Sequence, residues 1–390
     1  MTRTLRIFGC ILLVVGALTT LSASAQLIAV QSPAYRGDVH GDTVIRVSAP
    51  GYRTPLVAKS WLPGGRFGSD STVAKVSLNS KGEGSFIFPA AHYPHGPIAV
   101  RITGARNSDG YVDTSYLQLY NTSGVSWNEG IPSAPPPAAA GMSLVFQDDF
   151  DGPLSISSTG VGARYAAHKP DGGDFSQIPF ADPTAAGPFF QRDTYLIIRA
   201  NALLHTSGLL SSINSKDATG FTVKVPYYME CRFIAPDATG TWPAWWTLTD
   251  EFQNGQWGKK NDEIDTIEAY GGDGPRNPNA PAAYMVTPHM WGYHAGTGND
   301  KSHPIDMKRY GGGAGWADTP HTYGLLVTSE SFIFYLDDAE VMRLPASPLA
   351  EKDPMYFMVN LAVGGSGWPV DLSRYGNMAD MYVDYVRIYH

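Results

Sequence analysis

The sequence predicts an all-β chain built as two domains, the smaller one first. Three observations lead there. Gly, Tyr and Trp are plentiful, at 42, 21 and 9 residues, and the sustained 3.6-residue apolar period of long helices is missing. Short runs rich in β-branched and aromatic residues recur between clusters of Gly, Asn, Ser and Pro, which is the pattern of strands joined by turns. A Pro/Ala-rich stretch at residues 131–141 (IPSAPPPAAAG) then divides the chain. Such a segment is expected to be extended, semi-rigid and poor at packing.

Residues 1–25 carry Arg3 and Arg6, an apolar run through Ile11-Leu12-Leu13-Val14-Val15, and Ala23-Ser24-Ala25 at the end. This is the layout of a secretory signal peptide. The apolar run falls short of the roughly 20 residues a spanning helix needs. The expectation is a secreted or periplasmic protein with no membrane association after cleavage. The full chain has a net charge of −8, and loss of Arg3 and Arg6 takes it to −10. A field of that sign argues against nucleic acid as a partner and favours a neutral polymer. Cys231 is the one cysteine left after export, so no internal disulfide is expected, and it reads as a buried strand residue. Nothing in the sequence calls for an oligomer, and a monomer is expected.

Within residues 26–130, the runs at 43–47, 56–61, 85–88, 98–102 and 116–120 read as strands. About 100 residues of such strands suggest an immunoglobulin-like β-sandwich, either a packing module or a carbohydrate-binding one using Trp61. The linker is placed at 131–143 and the larger domain at 144–390. In the larger domain, residues 323–327, 332–336 and 341–344 form a three-strand meander, turning at Ser329-Glu330 and Asp337-Asp338. Residues 165–191 are rich in Gly, Pro and Asp and read as an inserted loop.

The chemistry concentrates in Glu263-Ile264-Asp265-Thr266-Ile267-Glu268. The β-branched residues make it a strand, so Glu263 and Asp265 share a face. Glu268 joins them only if one residue is inserted as a β-bulge. Two carboxyls so placed suit retaining glycoside hydrolysis, in which one attacks the anomeric carbon while the other protonates the leaving oxygen and later activates water. Asp265 between them adds a like charge that favours a protonated neighbour.

This segment resembles the bulged catalytic signature of glycoside hydrolase family 16. The resemblance extends over most of the second half of the chain. It includes LVFQDDFDG at 144–152, Tyr228-Met229-Glu230-Cys231-Arg232, GTWPAWW at 240–246, NLAVGG at 360–365 and VDYVRIY at 383–389. The resemblance implies a β-jelly roll, with two curved antiparallel sheets and a cleft on the concave face. It implies Glu263 as nucleophile, Asp265 as its assistant and Glu268 as acid/base, with no cofactor required for catalysis. It also places His289 near the acid/base, where a role in orienting Glu268 stands beside a purely structural one. Many relatives hold a structural calcium through an acid of the last strand and carbonyls near the first, which points to Asp384 and Asp149 as candidate ligands. Val327 departs from the tryptophan common in relatives, and Asp338 from the usual turn glycine.

Seven of the nine tryptophans lie beyond the linker, at 242, 245, 246, 257, 291, 316 and 368. An indole can stack on the C–H face of a pyranose or fill the core, and both uses are open for each. Trp242 and Trp246 share strand parity, and with Trp291 and Trp368 they are the candidates for substrate binding. The first expectation is a retaining endo-hydrolase of β-linked polysaccharide, 1,3- or mixed 1,3/1,4-glucan. An agarase-, carrageenase- or exopolysaccharide-depolymerase-like enzyme is the alternative, as is a transglycosylase. A sugar-binding protein without catalysis would need a lost carboxylate, and all three are present.

Overall fold

The computed structural model describes residues 27–62, 69–170, 172–250, 261–272, 283–291, 301–310, 315–347, 353–365 and 367–390. Its regular structure is strand, with a few single-turn 3-10 segments. Eight strands precede the linker: β1 (Ala29–Ser32), β2 (Asp38–Val39), β3 (Asp42–Ser48), β4 (Leu56–Leu62), β5 (Ser69–Val76), β6 (Glu83–Pro89), β7 (Gly96–Ala105) and β8 (Val112–Asn121). They form one sheet in the order β1-β3-β6 and another in the order β2-β8-β7-β4-β5. Alternation along β3 and β6 turns Ile45, Val47, Phe86 and Phe88 inward, where they meet Ile98, Val100, Ile102, Leu117 and Leu119. This is a two-layer arrangement of sheets packed over one core. The sequence pattern missed β1, β2 and β5, of which β1 and β2 are short.

Among the described residues, sixteen strands follow. The first eight are β9 (Leu144–Asp148), β10 (Ile156–Ser157), β11 (Tyr165–Ala166), β12 (Phe189–Arg192), β13 (Tyr195–Asn201), β14 (Gly208–Ser211), β15 (Tyr227–Ile234) and β16 (Thr241–Thr249). The rest are β17 (Asn261–Glu268), β18 (Ala283–Trp291), β19 (His303–Asp306), β20 (His321–Val327), β21 (Ser331–Leu336), β22 (Ala339–Pro345), β23 (Met355–Val363) and β24 (Met378–Tyr389). One sheet runs β10-β11-β14-β23-β16-β17-β18-β19, the other β12-β13-β24-β15-β20-β21-β22, with β9 added beside β24. Sequence-distant strands lie side by side, as in a jelly roll. Trp245, Ile264, Ile267, Phe357 and Val359 from the first sheet pack on Met229, Phe233, Leu325, Phe334 and Met381 from the second. Burying these large side chains, each giving about 1.5–3 kcal/mol, joins the layers. Cys231 lies in the same core. The expected meander is β20-β21-β22, and its turn residues Asp337 and Asp338 both take positive φ, 46° and 67°. Two left-handed residues in succession match a type I′ turn, which aspartate tolerates in place of glycine.

The linker differs from the expected spacer. Arg387 donates from Nη1 to the carbonyls of Pro132 (3.2 Å) and Ala134 (2.9 Å). Arg232 donates from Nη2 to those of Asn128 (2.5 Å) and Gly130 (2.8 Å). Ala138, Ala139 and Met142 then pack against Tyr228 and Tyr389. Proline-rich backbone has few N–H donors, but its carbonyls are free to accept, and Arg387 uses two of them while Arg232 holds the backbone just before the stretch. The two sets of sheets also meet directly. Arg374 Nη2 lies 2.6 Å from Asp113 Oδ2, Arg101 Nη1 2.5 Å from Asp318 Oδ2, and Gln118 Nε2 donates to Asp380 O at 2.7 Å.

Candidate active site

Strand β17 carries the three carboxyls, and its register shows how they converge. Asp265 stands opposite Thr287 of β18, whereas Glu268 stands opposite Met285. Three steps on β17 thus span two on β18, which is the inserted residue expected from the sequence. Ile264 and Ile267 consequently both enter the core, and Glu263, Asp265 and Glu268 all face a cleft. That cleft has a volume of about 370 Å³ and is lined by Lys169, Phe175, Trp242, Ala244, Trp246, Glu263, Asp265, Glu268 and Trp291. Beyond the strand the chain passes so close to Ala238 that a Cβ at Gly271 would stand 1.9 Å from the Ala238 oxygen. Only glycine fits there.

Each carboxyl has its own partners. Glu263 Oε2 accepts from Trp291 Nε1 at 2.9 Å. Asp265 Oδ2 lies 3.2 Å from His289 Nε2, which is 3.9 Å from Glu263 Oε1. Glu268 is held at both oxygens, Oε1 by Trp242 Nε1 (3.0 Å) and Oε2 by Thr287 Oγ1 (3.1 Å). Burial, the largest influence, raises the Glu263 carboxyl above its ordinary range, opposed by His289 and Trp291 and reinforced by Glu268. Asp265 is raised well above its range, by burial first and then by the fields of Glu268 and Glu263. For His289 burial opposes the charged ring, but the Asp265 hydrogen bond and the three nearby carboxylates outweigh it and push the imidazole up to about 9. The site is thus a desolvated cluster of acids with one imidazolium pressed against it.

His289 therefore differs from its expected place. It pairs with Asp265 and approaches Glu263, stacked on Trp291 at 4.9 Å, while Glu268 is held by Trp242, Thr287 and Tyr270. The reason is register: His289 is the cross-strand partner of Glu263, at the far end of the motif from the bulge.

The tryptophans divide by strand parity. Trp242 and Trp246 face the cleft, Trp246 with its Nε1 on Asn360 Oδ1 (2.8 Å), whereas Trp245 between them is fully buried in the inter-sheet core. Trp291 and Trp368 are the exposed pair, at 45% and 37%. Trp368 stands against Trp242 (5.2 Å) and Tyr270 (5.1 Å), which extends the aromatic wall past Glu268. Trp316 is core, and Trp257 lies outside the described residues.

Four residues of the site escaped sequence reasoning. Tyr270, two residues past Glu268, stacks on Trp242 at 5.8 Å. Thr287 was overlooked two positions before His289. Lys169 and Phe175 come from the segment read as an inserted loop. That segment is a fixed wall: His168 Nε2 lies 2.8 Å from Asp182 Oδ1, and Gln177 Nε2 donates to Gly365 O (2.8 Å) and Trp368 O (2.6 Å). Phe175 packs edge-on to Trp242 and Trp246, and the Lys169 ammonium lies 5.5 Å from the Phe175 ring centre. Adjacent aromatics at 246, 175 and 180 were the available signal.

The residues proposed for calcium do not fit that ion. Asp384 Oδ2 is bound by Arg232 Nε at 2.5 Å, and Oδ1 accepts from Gly130 N at 3.0 Å. The Arg232 guanidinium is itself buried between Tyr385 and Trp127. Carbonyls beside Asp149 are also engaged, since Gln191 Nε2 donates to Phe150 O (2.6 Å) and Gly152 O (2.7 Å). Calcium takes six to eight oxygen ligands, and here a guanidinium already occupies the acid that would anchor it.

Comparison with known proteins agrees with this geometry. Residues 192–387 match the model of glycosyl hydrolases family 16. The chain belongs to that family. It is 33% identical over 223 residues to the endo-1,3-1,4-beta-glycanase EglC of Rhizobium meliloti (strain 1021), covering 54% of this chain and 42% of that protein. It is 31% identical over 224 residues to ExsH, another endo-1,3-1,4-beta-glycanase of that strain, with the same coverage of each. The match thus spans less than half the length of these relatives. In fold, the chain is similar to the catalytic domain of an endo-1,3-beta-glucanase (laminarinase) from Thermotoga petrophila, with a TM-score of 0.50 and 20% identity. That likeness covers 64% of this chain and 98% of the other.

Proposed function

We propose that this chain is an exported, retaining, endo-acting glycoside hydrolase of β-linked polysaccharide, with 1,3- or mixed 1,3/1,4-glucan as its substrate. The observation that carries the reading is the bulge in β17, which turns Glu263 and Glu268 onto one face of an aromatic-walled cleft. Family membership and the names of the two Rhizobium relatives support the reaction class and the linkage. The leader at residues 1–25 supports export.

In this mechanism Glu263, steadied by the Trp291 indole, attacks the anomeric carbon as Glu268 gives its proton to the departing glycosidic oxygen. Glu268, now ionised, takes a proton from water, and the resulting hydroxide equivalent breaks the glycosyl ester. Asp265 and His289 form a pair beside the nucleophile that offsets negative charge as the carboxyls change state. Trp242, Trp246, Trp291 and Trp368 offer faces to the sugar rings, and exclusion of water by those faces strengthens each polar contact.

The test is reducing-end release from laminarin, mixed-linkage glucan, agarose, carrageenan and bacterial exopolysaccharides, with Glu263→Gln beside the wild-type protein. Turnover of a β-glucan should fall by orders of magnitude in the variant while binding survives. Equal turnover by both proteins would remove Glu263 as nucleophile.

A further inference from the structure

We propose that Thr287 is a positioning residue for the acid/base, a hydroxyl that follows Glu268 through both of its protonation states. The inference rests on the roles assigned above to Glu263 and Glu268. Its basis is the asymmetry between Trp242 and Thr287, which hold the two oxygens of the Glu268 carboxyl beside the Tyr270 hydroxyl. Trp242 binds Oε1 through an indole N–H, which can only donate. Thr287 binds Oε2 through a hydroxyl, which can donate or accept. The same hydroxyl lies 3.1 Å from Ser302 Oγ, and Ser302 is exposed. One hydroxyl proton cannot serve Glu268 and Ser302 together. With Glu268 ionised, Thr287 donates to Oε2 and accepts from Ser302. With a proton on Oε2, Thr287 accepts it as a hydrogen bond and donates to Ser302. No proton is gained or lost in the exchange, and Oε2 keeps a partner throughout.

Thr287 is 1% exposed and Glu268 8%, so neither polar group is well placed to exchange a lost partner for water, and an unmet hydrogen bond there is costly. The bulge creates the contact, because without it Glu268 would point into the core. Among the described residues, the titratable groups facing Glu268 are Glu263 and Asp265 from β17, His289 from β18, Tyr270 just past the strand and Lys169 across the cleft. The lining residues of β16 contribute none.

The experiment compares wild type, Thr287→Val, Thr287→Ser, Thr287→Ala and Glu268→Gln in kcat and KM on laminarin or whichever panel substrate is cleaved, from pH 4 to 9, with thermal unfolding of each. Thr287→Val keeps the shape and removes the hydroxyl. Its kcat should fall about tenfold while KM changes little, because the lost hydroxyl positions the acid/base rather than binding sugar. Thr287→Ser should restore kcat. Should the valine variant fail to fold, the alanine and serine variants carry the same comparison. The inference is overturned if the hydroxyl-free variants keep the wild-type profile, or if serine loses as much as valine. An active Glu268→Gln protein would instead overturn the assignment of the acid/base itself.

Discussion

Replacing His289 with glutamine should remove a pH-dependent contribution to stability whose size follows from the site. The imidazole moves from an ordinary 6.5 to about 9, and each pKa unit corresponds to about 1.4 kcal/mol. The imidazolium therefore contributes about 3 kcal/mol, with a side chain only 27% exposed and so little screened. Because the folded pKa lies above the unfolded one, that contribution is complete below pH 6.5 and disappears as pH rises through 9. Glutamine can still donate to Asp265 but carries no charge. Urea unfolding of the two proteins should then differ by about 3 kcal/mol at pH 6, a midpoint shift of about 1 M at a slope of about 3 kcal/mol per M. By pH 9.5 the difference should be close to zero. The carboxyls are present in both proteins, and because His289 lowers Glu263 and Asp265 the difference reads the ring together with its coupling to them. A gap of equal size at pH 6 and pH 9.5 would refute the account, since it would mean that His289 acts by packing on Trp291 alone.

Two further outcomes are expected. Arg387→Met should cost about 3–5 kcal/mol in thermal or urea unfolding, because it strands Glu230, at 0% exposure, without its cation. The double variant with Glu230→Gln should recover much of that loss, and a single variant as stable as wild type would argue against the arginine as the clasp of the linker. Adding millimolar calcium or EDTA should leave the unfolding midpoint unchanged, since Arg232 occupies Asp384. A native site held at a hundred times its Kd would add about 2.7 kcal/mol, so a clear rise with calcium would contradict that placement.

Much of the larger domain was legible because strand patterning is local. Alternation along residues 241–249 places Trp242 and Trp246 on one face and Trp245 on the other, and the inter-sheet core requires that division. The catalytic trio was legible for the same reason, with one inserted residue reconciling the parity of Glu268 with its neighbours. The meander of β20 to β22 followed from runs of alternating aromatics broken by short turns.

What the sequence by itself determined was therefore strand content, parity and the bulge, all consequences of a two-residue period. What tertiary structure decided was which distant groups meet. Pairing of β17 with β18 set His289 against Asp265 and Thr287 against Glu268, and neither contact has a signature in the spacing. Lys169 and Phe175 reach the cleft from a segment whose composition reads only as loop. The linker lost its independence to Arg387, and Arg232 took the acid that the family resemblance reserved for calcium. A charged side chain can satisfy carbonyls or carboxylates wherever the fold brings them within reach, and one-dimensional pattern carries no record of that distance.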